Sequence, residues 1–122
     1  MSQEGMNKRR EVLGDDHVDR AQARTTDFDA GFQEWITETA WVGVWSRPGL
    51  DTRTRSLITI GILAALGREE IDIHLRAIDN TGVTPDEVME VLYHVAIYAG
   101  IPAAHTAVER AKRIYDRGEA DE

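Results

Sequence analysis

Cysteine is absent from these 122 residues, which excludes disulfides, thiolate metal sites and thiol-based redox or nucleophilic chemistry. Proline is scarce: Pro48, Pro85 and Pro102 are the three copies, each at a break between apolar segments. Positive charge is also short, with 14 Lys and Arg against 22 Asp and Glu and a net charge of −8. A surface of that sign repels phosphate backbones and anionic bilayers, so neither nucleic acid nor a membrane is expected as a partner. No apolar run reaches the roughly 20 residues that span a bilayer. Residues 1 to 24 are polar and charged, with no apolar stretch of the kind a secretory leader needs, and the cytoplasm is the expected compartment. The remaining composition, 42% hydrophobic and 30% charged, is that of one globular domain over residues 1–122, with residues 1–8 and 117–122 expected to be flexible ends.

The chain is organised around Arg47 to Gly82. Pro48-Gly49 is a turn dipeptide and Asp51 can cap the helix that follows. Leu57, Ile58, Ile60, Ile62, Leu63, Ala64, Ala65 and Leu66 then run almost without polar relief, too long for a strand. A helix apolar on every side is expected to be buried on every side. Gly67 ends it. From Arg68 to Thr81 the pattern becomes one-sided, with Ile71, His74, Leu75 and Ile78 at i, i+3, i+4 and i+7, and Gly82 stands where a C-terminal cap belongs.

On either side the signals vary in strength. Asn7 to Leu13 and Asp16 to Arg24 read as short helices, and Phe28, Phe32, Trp35, Ile36 and Ala40 predict one helix from Asp27 toward Trp45. The tryptophans fit core packing or, less readily, stacking on a cofactor. Thr84-Pro85-Asp86-Glu87 is a capping box with proline at the first helical position, opening a helix that Gly100-Ile101-Pro102 breaks. A last helix is predicted from Pro102 to Arg117, with Ala103, Ala104, Ala107, Val108, Ala111, Ile114 and Tyr115 inward. Strand signals are lacking, so the expected fold is all-α, with about five or six helices on short connections. Small residues at Gly61, Ala64, Ala65, Ala96, Ala99, Ala103, Ala104 and Ala107 let helices approach closely, and in a chain of this size some apolar faces are expected to meet another subunit.

Chemistry-bearing residues are few. Among His17, His74, His94 and His105 no pair has the i, i+4 spacing of a helical metal site, so no metal is expected. His94 and His105 flank their apolar stripes, which fits surface or structural roles. His74 alone fits a core histidine as well as a catalyst. Glu70, one turn earlier on the same face, favours the second, since a carboxylate there can set the tautomer and basicity of the ring. Glu69 and Asp72 are read as solvated, or paired with Arg68 and Arg76. Of the 14 basic residues 12 are arginine, a bias that genome composition would also produce but that suits planar recognition of carboxylates. Arg53 and Arg55, with Arg47 in the preceding turn, are candidates for an anion clamp, the alternative being ordinary surface ion pairs.

The stretch WVGVWSRPGLDTRTRSLITIGILAALGREEIDIHLRAIDNTGVTPDEVMEVLYHVAIYAGIPAA resembles the carboxymuconolactone decarboxylase family, through RPGL-D-x-x-T-R-S-L, A-L-G-R-E-E, H-L-R-A, N-x-G-V-T and A-I-Y-x-G-I-P-A-A. The likeness runs from about Arg9 to Tyr115 and rests on several ordered motifs. It implies an all-α, alkylhydroperoxidase-like fold assembled as a homo-oligomer, often a hexamer. The implied activity is cofactor-independent decarboxylation of a lactone bearing two carboxylates, in the protocatechuate branch of aromatic catabolism. His74 falls where peroxidase relatives carry the histidine after their C-x-x-C pair, while Gly67 and Glu70 stand at the two cysteine positions. Ala99 and His105 also depart from what decarboxylase-like relatives often carry. On this reading His74 is the general acid oriented by Glu70, and Arg55, Arg47 and Arg53 are the substrate contacts. A different lactone or acidic ring compound, or a non-catalytic ligand-binding module with His74 in its core, stays open.

Overall fold

The computed structural model describes residues 3–120, with side chains through residue 116. Residues 1, 2, 121 and 122, part of the ends expected to be flexible, lie outside the described residues. Every regular element among the described residues is helical, and there are eight α-helices and one π-helical segment rather than five or six helices. No described helix is long and apolar enough to cross a membrane. The chain divides into two compact units, Met1–Thr52 and Arg53–Glu122.

The N-terminal unit holds α1 (Gln3–Leu13), α2 (Asp15–Arg24), α3 (Ala30–Ile36) and the π-helical segment Thr37–Trp45. Arg10 on α1 fixes the α1–α2 corner by reaching Asp15 at 3.0 Å and Asp19 at 2.8 Å. Trp41 and Trp45 cluster with Val12, and Leu13, Ile36 and Ala40 pack against them, the two indoles 5.3 Å apart; Met6, Val18 and Thr37 are buried as well. One regular helix from Asp27 to Trp45 does not form. Phe28, Phe32 and Trp35, expected on its inner stripe, are exposed in this chain, and Phe32 and Trp35 stack on each other. None of the residues of α3 is buried; the buried face of this stretch belongs to the π-helical segment, whose i→i+5 bonding widens the turn and which buries residues 37, 41 and 45. Gly5, expected to lie in a frayed start, is helical and buried against Thr37, where a Cβ would come within 2.7 Å of Thr37 Cγ2 and 2.9 Å of Thr37 O.

In the C-terminal unit α4 (Thr52–Leu66), α5 (Ile71–Arg76), α6 (Ile78–Thr81), α7 (Pro85–Tyr98) and α8 (Ile101–Ala120) surround a core of Ile60, Ala64, Ile71, Leu75, Ile78 and Val88 with Leu92, Ala104, Ala107 and Ala111. Gly67 stops α4 with φ 68°, its N–H on Ala64 O at 3.2 Å and that of Arg68 on Leu63 O at 2.9 Å, the two bonds of a Schellman cap. The segment expected to be one helix over 68–81 is two, because Arg68–Glu70 form a turn and Ala77, at φ −81° and ψ −2°, interrupts the ladder. Gly82 closes α6 with φ 84°. The capping box forms as read: Thr84 Oγ1 accepts from Glu87 N at 3.2 Å and Glu87 Oε1 accepts from Thr84 N at 3.0 Å. α4 is not buried on every side. Ser56, Ile60 and Ala64 form its buried stripe, while Ile58, Ile62 and Leu66 are exposed, since the other helices of the unit cover only one face of α4.

Candidate active site

Within the C-terminal unit, His74 lies on α5 between buried Ile71 and Leu75. Its ring is partly covered and its Nδ1 atom is buried. The amphipathic pattern that puts Ile71, Leu75 and Ile78 into the core leaves position 74 at the edge of that stripe. An imidazole there keeps one nitrogen in protein while the rest of the ring approaches solvent. Glu70 sits at the N-cap of α5, exposed and making no side-chain capping bond.

Arg53 and Arg55 occupy the first turn of α4, both partly buried. They differ in employment. Arg53 forms an ion pair with Glu87, the residue that also completes the α7 capping box, and so ties the start of α4 to the start of α7. Arg55 has its Nε atom buried, and its backbone carbonyl accepts from Thr59 Oγ1 at 2.8 Å. The next residue, Ser56, is fully buried and its hydroxyl accepts from Thr81 Oγ1 at 3.1 Å. That bond joins α4 to α6, the short helix directly after the one bearing His74. Arg47 belongs to the N-terminal unit and is exposed in the turn after the π-helical segment, with its N–H on Val44 O at 3.1 Å.

Asp72 is neither solvated nor paired with Arg68 or Arg76. Its Oδ2 accepts from Arg110 Nη1 of α8 at 2.9 Å, a partner 38 residues away that local spacing could not announce. Tyr115, expected only as an inward residue of the last helix, donates its hydroxyl to Leu75 O at 3.0 Å. Burial, with Asp79 nearby, pushes its phenol well above the ordinary tyrosine range, so the proton stays in place. His94 is exposed and stacked on Tyr98, lining a groove of about 530 Å³ between α4 and α7. That groove is walled almost wholly by apolar side chains, Leu57, Ile58, Ile62, Val91 and Val95 among them, which gives it no means of holding a doubly charged acid. His105 is exposed beside Glu109.

The sequence profile of the carboxymuconolactone decarboxylase family matches residues 30–113. The chain belongs to that family. Among its relatives, the 4-carboxymuconolactone decarboxylase of Acinetobacter baylyi is 49% identical over 121 residues, 98% of this chain and 90% of the relative. The nitrosuccinic acid decarboxylase npaB of Metarhizium robertsii is 42% identical over 108 residues, 86% of this chain and 74% of that one. The family match covers the π-helical segment, Arg47, Arg53, Arg55, Glu70, His74 and the Asp72–Arg110 pair, while Tyr115 lies beyond it.

Proposed function

We propose that this family member decarboxylates 4-carboxymuconolactone to the enol-lactone of 4-oxoadipate, a step of protocatechuate breakdown, without a cofactor. The observation that carries the reading is the 49% identity, over nearly the whole length of both chains, to a decarboxylase named for that substrate. The chemistry asks little of the protein. The carbon–carbon bond to the departing carboxylate breaks, CO2 leaves, and the electron pair passes through the ring C=C into the lactone carbonyl, giving a dienolate. One proton then adds to carbon. The protein has to bind two carboxylates, stabilise the developing enolate oxygen and deliver that proton.

Arg55 is the first carboxylate and enolate contact, because its guanidinium is partly withdrawn from water on a helix pinned by the Ser56–Thr81 bond. Arg53, held by Glu87, serves as a second cation, and Arg47 is assigned to the carboxylates from its residue type and place in the RPGL motif. His74 is the general acid, with Glu70, one turn earlier at the N-cap of α5, assigned to orient it. His74→Ala should lower kcat by about 10²- to 10⁴-fold while leaving the helical circular dichroism unchanged. Full turnover by that variant would remove His74 from the mechanism. The reading as a whole is tested by supplying 4-carboxymuconolactone and following CO2 release and enol-lactone formation, with and without EDTA.

The 42% identity to a nitrosuccinic acid decarboxylase supports a second reading, in which the same clamp and acid serve another acid with an electron-withdrawing group. Comparing kcat/KM for the lactone and for nitrosuccinate decides between them. The protein is proposed to act as a homo-oligomer, hexameric by family resemblance. Ile58, Ile62 and Leu66 repeat every four residues along α4 and are 45%, 52% and 61% exposed, and Tyr98, Ile97 and Ile101 are more exposed still. Large apolar side chains exposed in such number are what an interaction surface presents. Ile62→Glu should therefore shift light-scattering mass toward smaller species. An unchanged mass would mean that this face is not the subunit contact.

A further inference from the structure

The helix that carries His74 is short. α5 has six residues, begins without a side-chain cap and ends at the Ala77 interruption. A helix of one and a half turns does not hold its own geometry in water, because nucleation is costly and too few bonds follow. Something outside α5 has to fix it.

Two side chains of α8 do so, on either side of the histidine. Arg110 Nη1 reaches Asp72 Oδ2 at 2.9 Å, with both side chains about three-quarters covered. Tyr115 Oη reaches Leu75 O at 3.0 Å. The second bond has a specific cause. Helix ends leave their last carbonyls without helical partners. Leu75 lies in the last turn of α5, just before the break at Ala77, and the phenol donates to its carbonyl there. One tether grips a side chain two residues before His74 and the other grips the backbone one residue after it. Rotation of α5 about its axis, the motion that would swing the imidazole, strains both.

We propose that Arg110 and Tyr115 are positioning residues for His74, setting the direction of its ring by clamping α5 at Asp72 and Leu75. The inference rests on the reading of His74 as the general acid, and the experiment separates the two. Arg110 precedes the core residue Ala111 on α8, and its side chain is about three-quarters covered. Tyr115 keeps its proton throughout the working pH range for the reason given above. Neither side chain touches substrate in this account. They act through the histidine.

The test uses Tyr115→Phe, which removes one oxygen and keeps the ring packed, alongside Arg110→Gln and Arg110→Lys. With the full-length protein and 4-carboxymuconolactone, kcat should fall about tenfold in Tyr115→Phe and Arg110→Gln with KM changed less than about twofold, the pattern of a misaimed acid with binding intact. Arg110→Lys, which retains a cation for Asp72, should recover most of kcat. In carbon–proton spectra of the histidine rings, with the His74 signal identified by its loss in His74→Gln, that signal should shift or broaden in the two damaged variants. A merely structural role would not confine the change to kcat and to this ring. Wild-type kcat, or an unmoved His74 signal in a variant with lowered kcat, would overturn the proposal. If Arg110→Gln does not fold, Tyr115→Phe alone decides it. Full turnover by His74→Ala would instead remove the catalytic reading, leaving the ring signal to report whether the clamp exists.

Discussion

The two units reach their helices by different means. In the C-terminal unit the boundaries are set by chemistry within a few residues of each break: Gly67 and Gly82 at positive φ, and Thr84, Pro85 and Glu87 in one capping box. In the N-terminal unit the decisive contacts are matters of volume. Gly5 lets α1 approach Thr37, and Trp41 and Trp45 pack against Val12 from a segment wound one residue wider than an α-helix. A helix stopped by its own residues has its ends set locally, whereas α5, six residues long and without a side-chain cap, takes its placement from α8. A helix shaped by what presses on it needs bulk, and the N-terminal unit has all three tryptophans.

Glycine substitutions break that contrast most directly. Gly5→Ala puts a methyl 2.7 Å from Thr37 Cγ2 and 2.9 Å from a backbone oxygen that cannot retreat without moving the π-helical segment. A loss of about 2 to 3 kcal/mol is expected, from urea unfolding followed by tryptophan fluorescence. Gly82→Ala meets no atom within 4 Å, so its cost comes from φ 84° alone, about 1 kcal/mol. Equal costs would mean that α1 can slide away from Thr37, and that the close approach at Gly5 is not what fixes the N-terminal core.

The same contrast explains what the sequence discloses. The capping box, the Gly67 stop and the buried stripe of Ile71, Leu75 and Ile78 were legible because each is written within one or two turns of chain. The placement of Phe28, Phe32 and Trp35 on the surface was not. Helical periodicity assumes 3.6 residues per turn, and nothing local announces a widened segment at Thr37. The exposed side of α4 was misread for a related reason: an apolar residue reports that it belongs against something apolar, not that the partner lies in the same chain. For the candidate site, the spacing put His74 on the inward stripe with Ile71, Leu75 and Ile78, and the structure places it at the edge of that stripe, only partly covered. The partnerships of Asp72 with Arg110 and of Leu75 with Tyr115 join residues 38 and 40 apart. No reading of neighbours could supply them.

The smallest effect sharpens the comparison from the C-terminal side, where a single phenol of α8 holds the end of α5. Burial and, secondarily, Asp79 raise the Tyr115 phenol above its ordinary value of 10.0. Below about pH 10 the phenol is protonated in folded and unfolded chains alike, and the bond to Leu75 O contributes fully, on the order of 1 kcal/mol. Above that pH the unfolded chain gives up this proton while the folded chain keeps it. The native state then binds more protons than the unfolded state, and stability falls as pH rises. Tyr115→Phe has no proton to lose there. Urea unfolding of the two proteins between pH 8 and about pH 11 should thus show the wild type ahead by about 1 kcal/mol at the lower end, with the gap closing from pH 10 upward. A gap that stays constant with pH would mean that the phenol is open to solvent in the folded protein, and that α5 is held at Leu75 by something other than this hydroxyl.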